Sequence, residues 1–106
     1  MITIVNRKIH RGESIYVGRP SVLGNPYRIG QDGNRAQVIQ MYRRFLWKEI
    51  QSGAGAVHDE LHRLAKLAKR SDLILSCWCH PLQCHATCLK NCIEYLNRSD
   101  GAPSTE

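Results

Sequence analysis

Asp72-Leu73-Ile74-Leu75-Ser76-Cys77-Trp78 is a short, almost unbroken apolar run. Strands covered on both faces read this way, whereas half-exposed strands alternate between apolar and polar residues. The run is therefore expected to be the central strand of a sheet, with the rest of the domain arranged around it.

Working back from this strand, Val57, Leu61, Leu64 and Ala68 recur at helical spacing to about Lys69. Ser52-Gly53-Ala54-Gly55 separates that helix from an earlier one carrying Val38, Met41, Tyr42, Phe45 and Leu46 to about Ile50. Asn34 is placed as its N-cap after the turn Gln31-Asp32-Gly33, with Gln37 three residues on in a variant of the capping box. Near the start, Ile2-Thr3-Ile4-Val5 and Ser14-Ile15-Tyr16-Val17 read as short strands joined by a basic turn through Gly12. Beyond the central strand, a third helix carries Cys88, Leu89, Cys92, Ile93 and Leu96 on one side. From Ser99 to Glu106 the chain is small and polar and reads as a frayed tail. The expectation is a single small α/β domain over residues 1–98, a short sheet of three or more strands packed with about three helices in two or three layers. In such sheets ligands bind beyond the carboxyl ends of the strands.

The composition fits. With 106 residues, 42% hydrophobic and 23% charged, the chain is an ordinary globular sequence, which argues against disorder, collagen-like repeats and coiled coil. A core of this size gains from a metal or a dimer partner, so a homodimer is one expectation. No apolar run approaches about 18 residues, which speaks against a membrane span. Met1-Ile2-Thr3-Ile4-Val5-Asn6-Arg7-Lys8 lacks the basic leader and apolar core of a signal peptide. A cytoplasmic location is expected. Fifteen Lys and Arg against nine Asp and Glu give a net charge of +6. Arg43, Arg44, Lys48, Arg63, Lys66, Lys69 and Arg70 crowd the middle of the chain, as in phosphate or nucleic-acid contact or in a solvated helical face.

All five cysteines fall within residues 77–92, and an odd, clustered set suits metal binding or thiol chemistry better than a disulfide framework. Cys77-Trp78-Cys79-His80-Pro81-Leu82-Gln83-Cys84-His85 runs from a strand end into a helix start. Thiolates there could converge on zinc, with Cys77, Cys79 and Cys84 as ligands and His85, His80 or a solvent molecule fourth. Neighbouring side chains on a helix diverge by about 100°, so Cys84 and His85 could share one metal only from a non-helical start. Two other readings stand beside zinc: Cys84 as a nucleophile activated by a helix N-terminus and an adjacent histidine, or the thiols as small buried hydrophobes. The last is the expectation for Cys88 and Cys92.

Gly18-Arg19-Pro20-Ser21-Val22-Leu23-Gly24-Asn25-Pro26 holds two glycines and two prolines and must be a shaped loop. Arg19 offers a planar fork for a phosphate or carboxylate and Asn25 can read an amide edge. The same two side chains could instead bond the loop's own carbonyls. Trp78 reads as core packing first and as a stacking surface for a base second. There is no G-x-x-x-x-G-K-[ST], no G-x-G-x-x-G and no H-x-E with P-C-x-x-C, so phosphate-loop, dinucleotide and zinc deaminase chemistry have no support.

Tyr16-Val17-Gly18-Arg19-Pro20-Ser21, Leu23-Gly24-Asn25-Pro26, Tyr42-Arg43 and Cys77-Trp78-Cys79, Pro81, Cys84-His85 together resemble the phage and bacterial family of domain of unknown function 4326, from about Ile15 to Leu96. That family is defined by its pattern rather than by a reaction. Its frequency in phage genomes implies an enzyme of phage nucleotide or DNA-base modification in the infected cell's cytoplasm. Such an enzyme could transfer a methyl or other one-carbon group to a deazaguanine-like base, with S-adenosylmethionine one possible donor. On this expectation His85 and Asn25 are catalytic, Arg19, Ser21, Asn25 and Trp78 bind substrate, and Cys77, Cys79, Cys84 and His85 hold zinc. The alternatives are a non-catalytic zinc-stabilised module that binds nucleic acid through basic helices, and a phage protein that inhibits a host protein.

Overall fold

The computed structural model describes residues 1–78 and 84–101, the last three for their backbone alone. Its elements run β1 (Ile2–Asn6), β2 (Ile15–Tyr16), α1 (Arg35–Ser52), α2 (Ala56–Arg70), β3 (Leu73–Cys77) and α3 (His85–Gly101). This is the expected small α/β domain, with three strands and three helices among the described residues. The helix α3 continues through Gly101, so the boundary expected at Ser99 lies inside a helix. The rest of that expected tail, residues 102–106, lies outside the described residues, as do Cys79 and His80.

The apolar run does form the central strand. The sheet order is β1-β3-β2 and both pairings are parallel, with Ile4 opposite Leu75 on one side and Ile15 opposite Leu75 on the other. The basic turn therefore does not fold β1 and β2 into a hairpin, because β3 lies between them. A parallel connection ordinarily needs a dozen or more residues, since the chain must return to the start of the sheet. Residues 7–14 suffice here because β2 pairs only with Leu75 and Ser76, near the carboxyl end of β3. Gly12 turns in this loop at φ 120°. Bonds from Arg7 N to Cys77 O and from Val17 N to Ser76 O carry both ladders one step beyond the strands.

One face of the sheet supplies Ile2, Leu73, Leu75 and Cys77 to the core, joined by Tyr42 and Leu46 of α1, Leu61, Leu64 and Ala65 of α2, and Leu89, Ile93 and Leu96 of α3. Helix α3 packs on β1 and β3 and also on α1 and α2. Val5 and Ile74, on the opposite face by the alternation of strand side chains, are not part of that core. Cys88 and Cys92 are buried in it, as expected. Burial pushes the Cys92 thiol up to about 12, with Cys88 adding to the rise and Arg43 opposing it, so Cys92 stays a neutral thiol.

Local signals place the helix ends. Asn34 accepts from Gln37 N while Gln37 Oε1 accepts from Asn34 N, the reciprocal capping box read in the sequence. Gly53 closes α1 at φ 77°, a left-handed conformation that glycine adopts without strain. No helix among the described residues is long and apolar enough to cross a membrane.

Leu75 is fully buried at the centre of the sheet. Leu75→Ala is expected to lower the unfolding free energy by about 2–5 kcal/mol, read from the urea midpoint with an unchanged slope.

Candidate functional site

All three strands run the same way, so their carboxyl ends meet at one edge, and there the ends of β2 and β3, the chain from residue 18 to 31 and the starts of α1 and α3 line a cavity of about 590 Å³. Strand β2 leads straight into the Gly18–Pro26 loop. That loop is two successive turns, closed by Ser21 N donating to Gly18 O and Gly24 N donating to Ser21 O, with a cis peptide between Arg19 and Pro20. Both glycines are fixed by close approach. A Cβ at Gly18 would run into the Tyr16 hydroxyl, and one at Gly24 would come within 2.9 Å of the Arg19 backbone. Two bonds tie the loop to α1: the buried Tyr42 hydroxyl donates to Leu23 O at 2.5 Å, and Asn25 Nδ2 donates to Val38 O at 3.3 Å.

The two loop side chains divide between the alternatives left open by the sequence. Asn25 Oδ1 accepts from Tyr27 N while its amide holds Val38 O, so both ends of this side chain build the loop. Arg19 gives Nη1 to Asn25 O yet remains exposed and lines the cavity. Ser21 does not join the lining, and its buried Oγ meets no partner among the described residues.

Trp78 corrects the core expectation, since it is 57% exposed. Strand β3 ends at Cys77, and the residue after it emerges from the sheet rather than packing into it. Its indole is held by Nε1 donating to the Tyr16 hydroxyl at 3.1 Å, and the two rings meet edge to face at 6.4 Å. The Tyr16 hydroxyl in turn donates to Arg19 O, and the Arg7 guanidinium lies 4.6 Å from the Tyr16 ring centre. Asn6 Nδ2 donates to Trp78 O, so the end of β1 also supports this residue.

At the buried side of the cavity, Cys77 ends β3 and Cys84 precedes α3, with their sulfurs 3.2 Å apart. That is contact distance, well beyond the ~2.05 Å of a disulfide. The Cys84 sulfur accepts from Ala86 N and its carbonyl from Thr87 N, which makes it the cap of α3. His85 lies beside it but faces elsewhere: its Nε2 is 2.7 Å from Val17 O, so that nitrogen carries the proton, and its ring meets Tyr42 edge to face. The divergence expected of helix neighbours is thus realised, and only Nδ1 of His85 is left for a proton or a metal. Two sulfurs this close can share a tetrahedral zinc after spreading by roughly half an ångström, given Zn–S bonds of about 2.3 Å. Among the described residues no set of three or more His, Cys, Asp or Glu side chains is gathered for a metal. Cys79 lies outside those residues.

The cavity thus unites Arg19, Asn25, Cys77, Trp78, Cys84 and His85, all singled out in the sequence. It also takes in Tyr27, Arg28, Ile29, Gln31 and Arg35, which sequence reasoning missed. The one signal was the turn at Asp32-Gly33: Asp32 Oδ2 accepts from Arg28 N, and Gly30 N donates to Gly33 O, closing residues 28–33 into a turn ahead of α1. The described lining holds three arginines and no carboxylate.

Burial is the largest influence on His85 and holds its imidazole below the ordinary histidine range; the Val17 carbonyl and Cys77 act the other way, and Arg19 assists the lowering. The unfolded chain therefore takes up this proton at higher pH than the folded one, and the stability His85 contributes is complete above about pH 6.5 and declines as the pH falls below it. The difference in unfolding free energy between the wild type and His85→Gln should be flat above about pH 7.5 and shrink toward pH 5. A difference constant across that range would refute the lowered pKa.

No curated protein and no solved structure matches the chain. A family model does, over residues 5–95, beginning ten residues before the stretch that carried the resemblance and running from within β1 almost to the end of the third helix's apolar face. The chain belongs to the family described as Domain of unknown function (DUF4326).

Proposed function

We propose that this protein is an enzyme that binds a nucleotide or another base-bearing anion in the cavity at the strand ends and modifies its base. One observation carries the reading: an exposed, hydrogen-bonded Trp78–Tyr16 surface stands at the same cavity as Arg19, Arg28 and Arg35, with no carboxylate in the described lining. Aromatic faces stack on bases, and guanidinium forks match phosphate oxygens. The volume lies within the range of small-ligand sites.

The reaction proposed is transfer of a methyl or other one-carbon unit from a second bound molecule of the S-adenosylmethionine class to the base: the donor's bond to that unit breaks as the bond to the base forms, the donor leaves without it and the base gives up a proton, at the buried side of the cavity, where Cys77, Cys84 and His85 stand. Proton movement there falls to His85 Nδ1, because Nε2 is committed to Val17 O. Zinc is part of the proposal, with Cys77 and Cys84 as two ligands and Cys79 as the third. When bound, zinc would staple β3 to α3 and polarise a substrate atom. Native mass spectrometry of reduced protein should find about one zinc per chain, lost in Cys79→Ser and Cys84→Ser; metal-free wild type with intact folding would remove zinc from the proposal.

A nucleic-acid-binding module is the competing reading, favoured by exposed Arg43, Arg44, Lys48, Lys66, Lys69 and Arg70. The two separate by titration. For the enzyme, Trp78→Ala and Arg19→Ala should each weaken nucleotide binding by about tenfold or more, while Arg43→Ala/Lys66→Ala/Lys69→Ala leaves it unchanged. The reverse pattern, with a steep salt dependence on single-stranded DNA, would establish the module instead.

A further inference from the structure

We infer that the substrate of this site is a free mononucleotide, its phosphate held by Arg28 and Arg35 and its base against Trp78, rather than a base within a nucleic-acid strand. The inference rests on the nucleotide-binding reading above and adds the substrate class and the direction in which it lies.

Three features separate a free nucleotide from a strand. The cavity is bounded by the loop after β2, the 28–33 fold and the first residues of α1 and α3, and α2 supplies none of its lining. The exposed Arg43, Arg44 and Lys48 of α1 and Lys66, Lys69 and Arg70 of α2, which a strand would follow, are all absent from the described lining. A polymer binder instead carries a basic groove that tracks many phosphates. In the described lining positive charge is confined to Arg19, Arg28 and Arg35, a number suited to one phosphate group.

Arg19 gives Nη1 to Asn25 O, which shapes its own loop. Arg28 lies in the turn that bonds among residues 28–33 close ahead of α1, and Arg35 is the first residue of that helix. Helix starts ordinarily favour Asp or Glu, because the N-terminal end of the dipole is positive. Helix α1 begins instead on Arg35 and has no acid in its first turn. Asp32 uses its carboxylate on the Arg28 backbone N–H and is not part of the lining. An anion beside Arg28 and Arg35 meets two guanidinium groups and a favourable dipole together. The same cavity offers the Trp78 indole, fixed by Tyr16 so that it can meet a ring without first being ordered.

The test is calorimetric titration of the wild-type protein with the four common nucleoside 5′-monophosphates, the matching nucleosides and a short single-stranded DNA. Arg28→Ala and Arg35→Ala follow, each checked by thermal melting. The expected result is that at least one monophosphate binds about tenfold or more tightly than its nucleoside, equivalent to about 1.4 kcal/mol. The DNA should bind more weakly than that monophosphate, and both arginine variants should narrow the gap between monophosphate and nucleoside while leaving the nucleoside unchanged. Tighter binding of DNA than of any monophosphate would overturn the inference and leave the nucleotide reading standing. So would variants that weaken nucleoside and monophosphate alike. Absence of binding by all three ligand classes would overturn both. The wild-type ligand series decides the substrate class even where a variant fails to fold.

Discussion

Strand β3 is hydrogen-bonded along both edges, to β1 on one side and β2 on the other, and both neighbours run parallel to it. Everything else in the domain follows from that double ladder. Because parallel strands end together, the residues after Asn6, Tyr16 and Cys77 are delivered to one edge without further instruction. Arg7, Tyr16 and Trp78 meet there for this reason. The apolar face of the same three strands must be covered, and α3 does so while presenting its own other sides to α1 and α2. The start of α3 is thereby fixed at the cavity, which puts Cys84 and His85 beside Cys77.

A parallel sheet fixes where a loop begins but not its shape. The Gly18–Pro26 loop has no ladder to follow, and its form comes from packing against its own residues and against α1. Gly18 makes room for Tyr16, Gly24 makes room for the Arg19 backbone, and Tyr42 reaches up from the core to hold the Leu23 carbonyl. Burial keeps the Tyr42 hydroxyl protonated far above the ordinary tyrosine range, and the Cys88, Cys92 and Cys84 thiols add to the same effect. It remains a donor at any pH at which the protein folds. Its ring also packs on His85, so one side chain supports both the loop and the histidine at the cavity wall.

Polar side chains in this region fall into two groups by the work they already do. Asn25 and Asn6 bond backbone groups, and the Tyr16 hydroxyl donates to Arg19 O while accepting from the Trp78 indole, which makes all three scaffold. Arg28 and the Trp78 face are only partly engaged and stand toward solvent. His85 sits between the groups, with one nitrogen in the scaffold and one left over. Exposed aromatic and cationic side chains therefore stand at the rim, and the two thiols and the histidine at the buried side.

The sequence by itself determined the elements, the core and the family motifs, because these depend on local periodicity and caps. The apolar run 72–78, the Asn34–Gln37 box and the Cys88/Cys92 spacing each report a neighbourhood a few residues wide. It also identified the residues that could carry chemistry. What they would do was decided by contacts across 13 to 72 positions, which no local pattern encodes. Trp78 stands in an apolar run and reads as core, yet it is the residue at which β3 has ended, and only the register of β1 and β2 locates that end. Asn25 reads in the sequence both as a ligand for substrate and as a builder of its own loop, and only the fold shows Val38 and Tyr27 engaging both ends of its amide. Arg28 and Arg35 carry no motif at all, and only the tertiary structure brings the turn before α1 and the first residue of that helix into the lining of the cavity shared with Cys77 and Trp78.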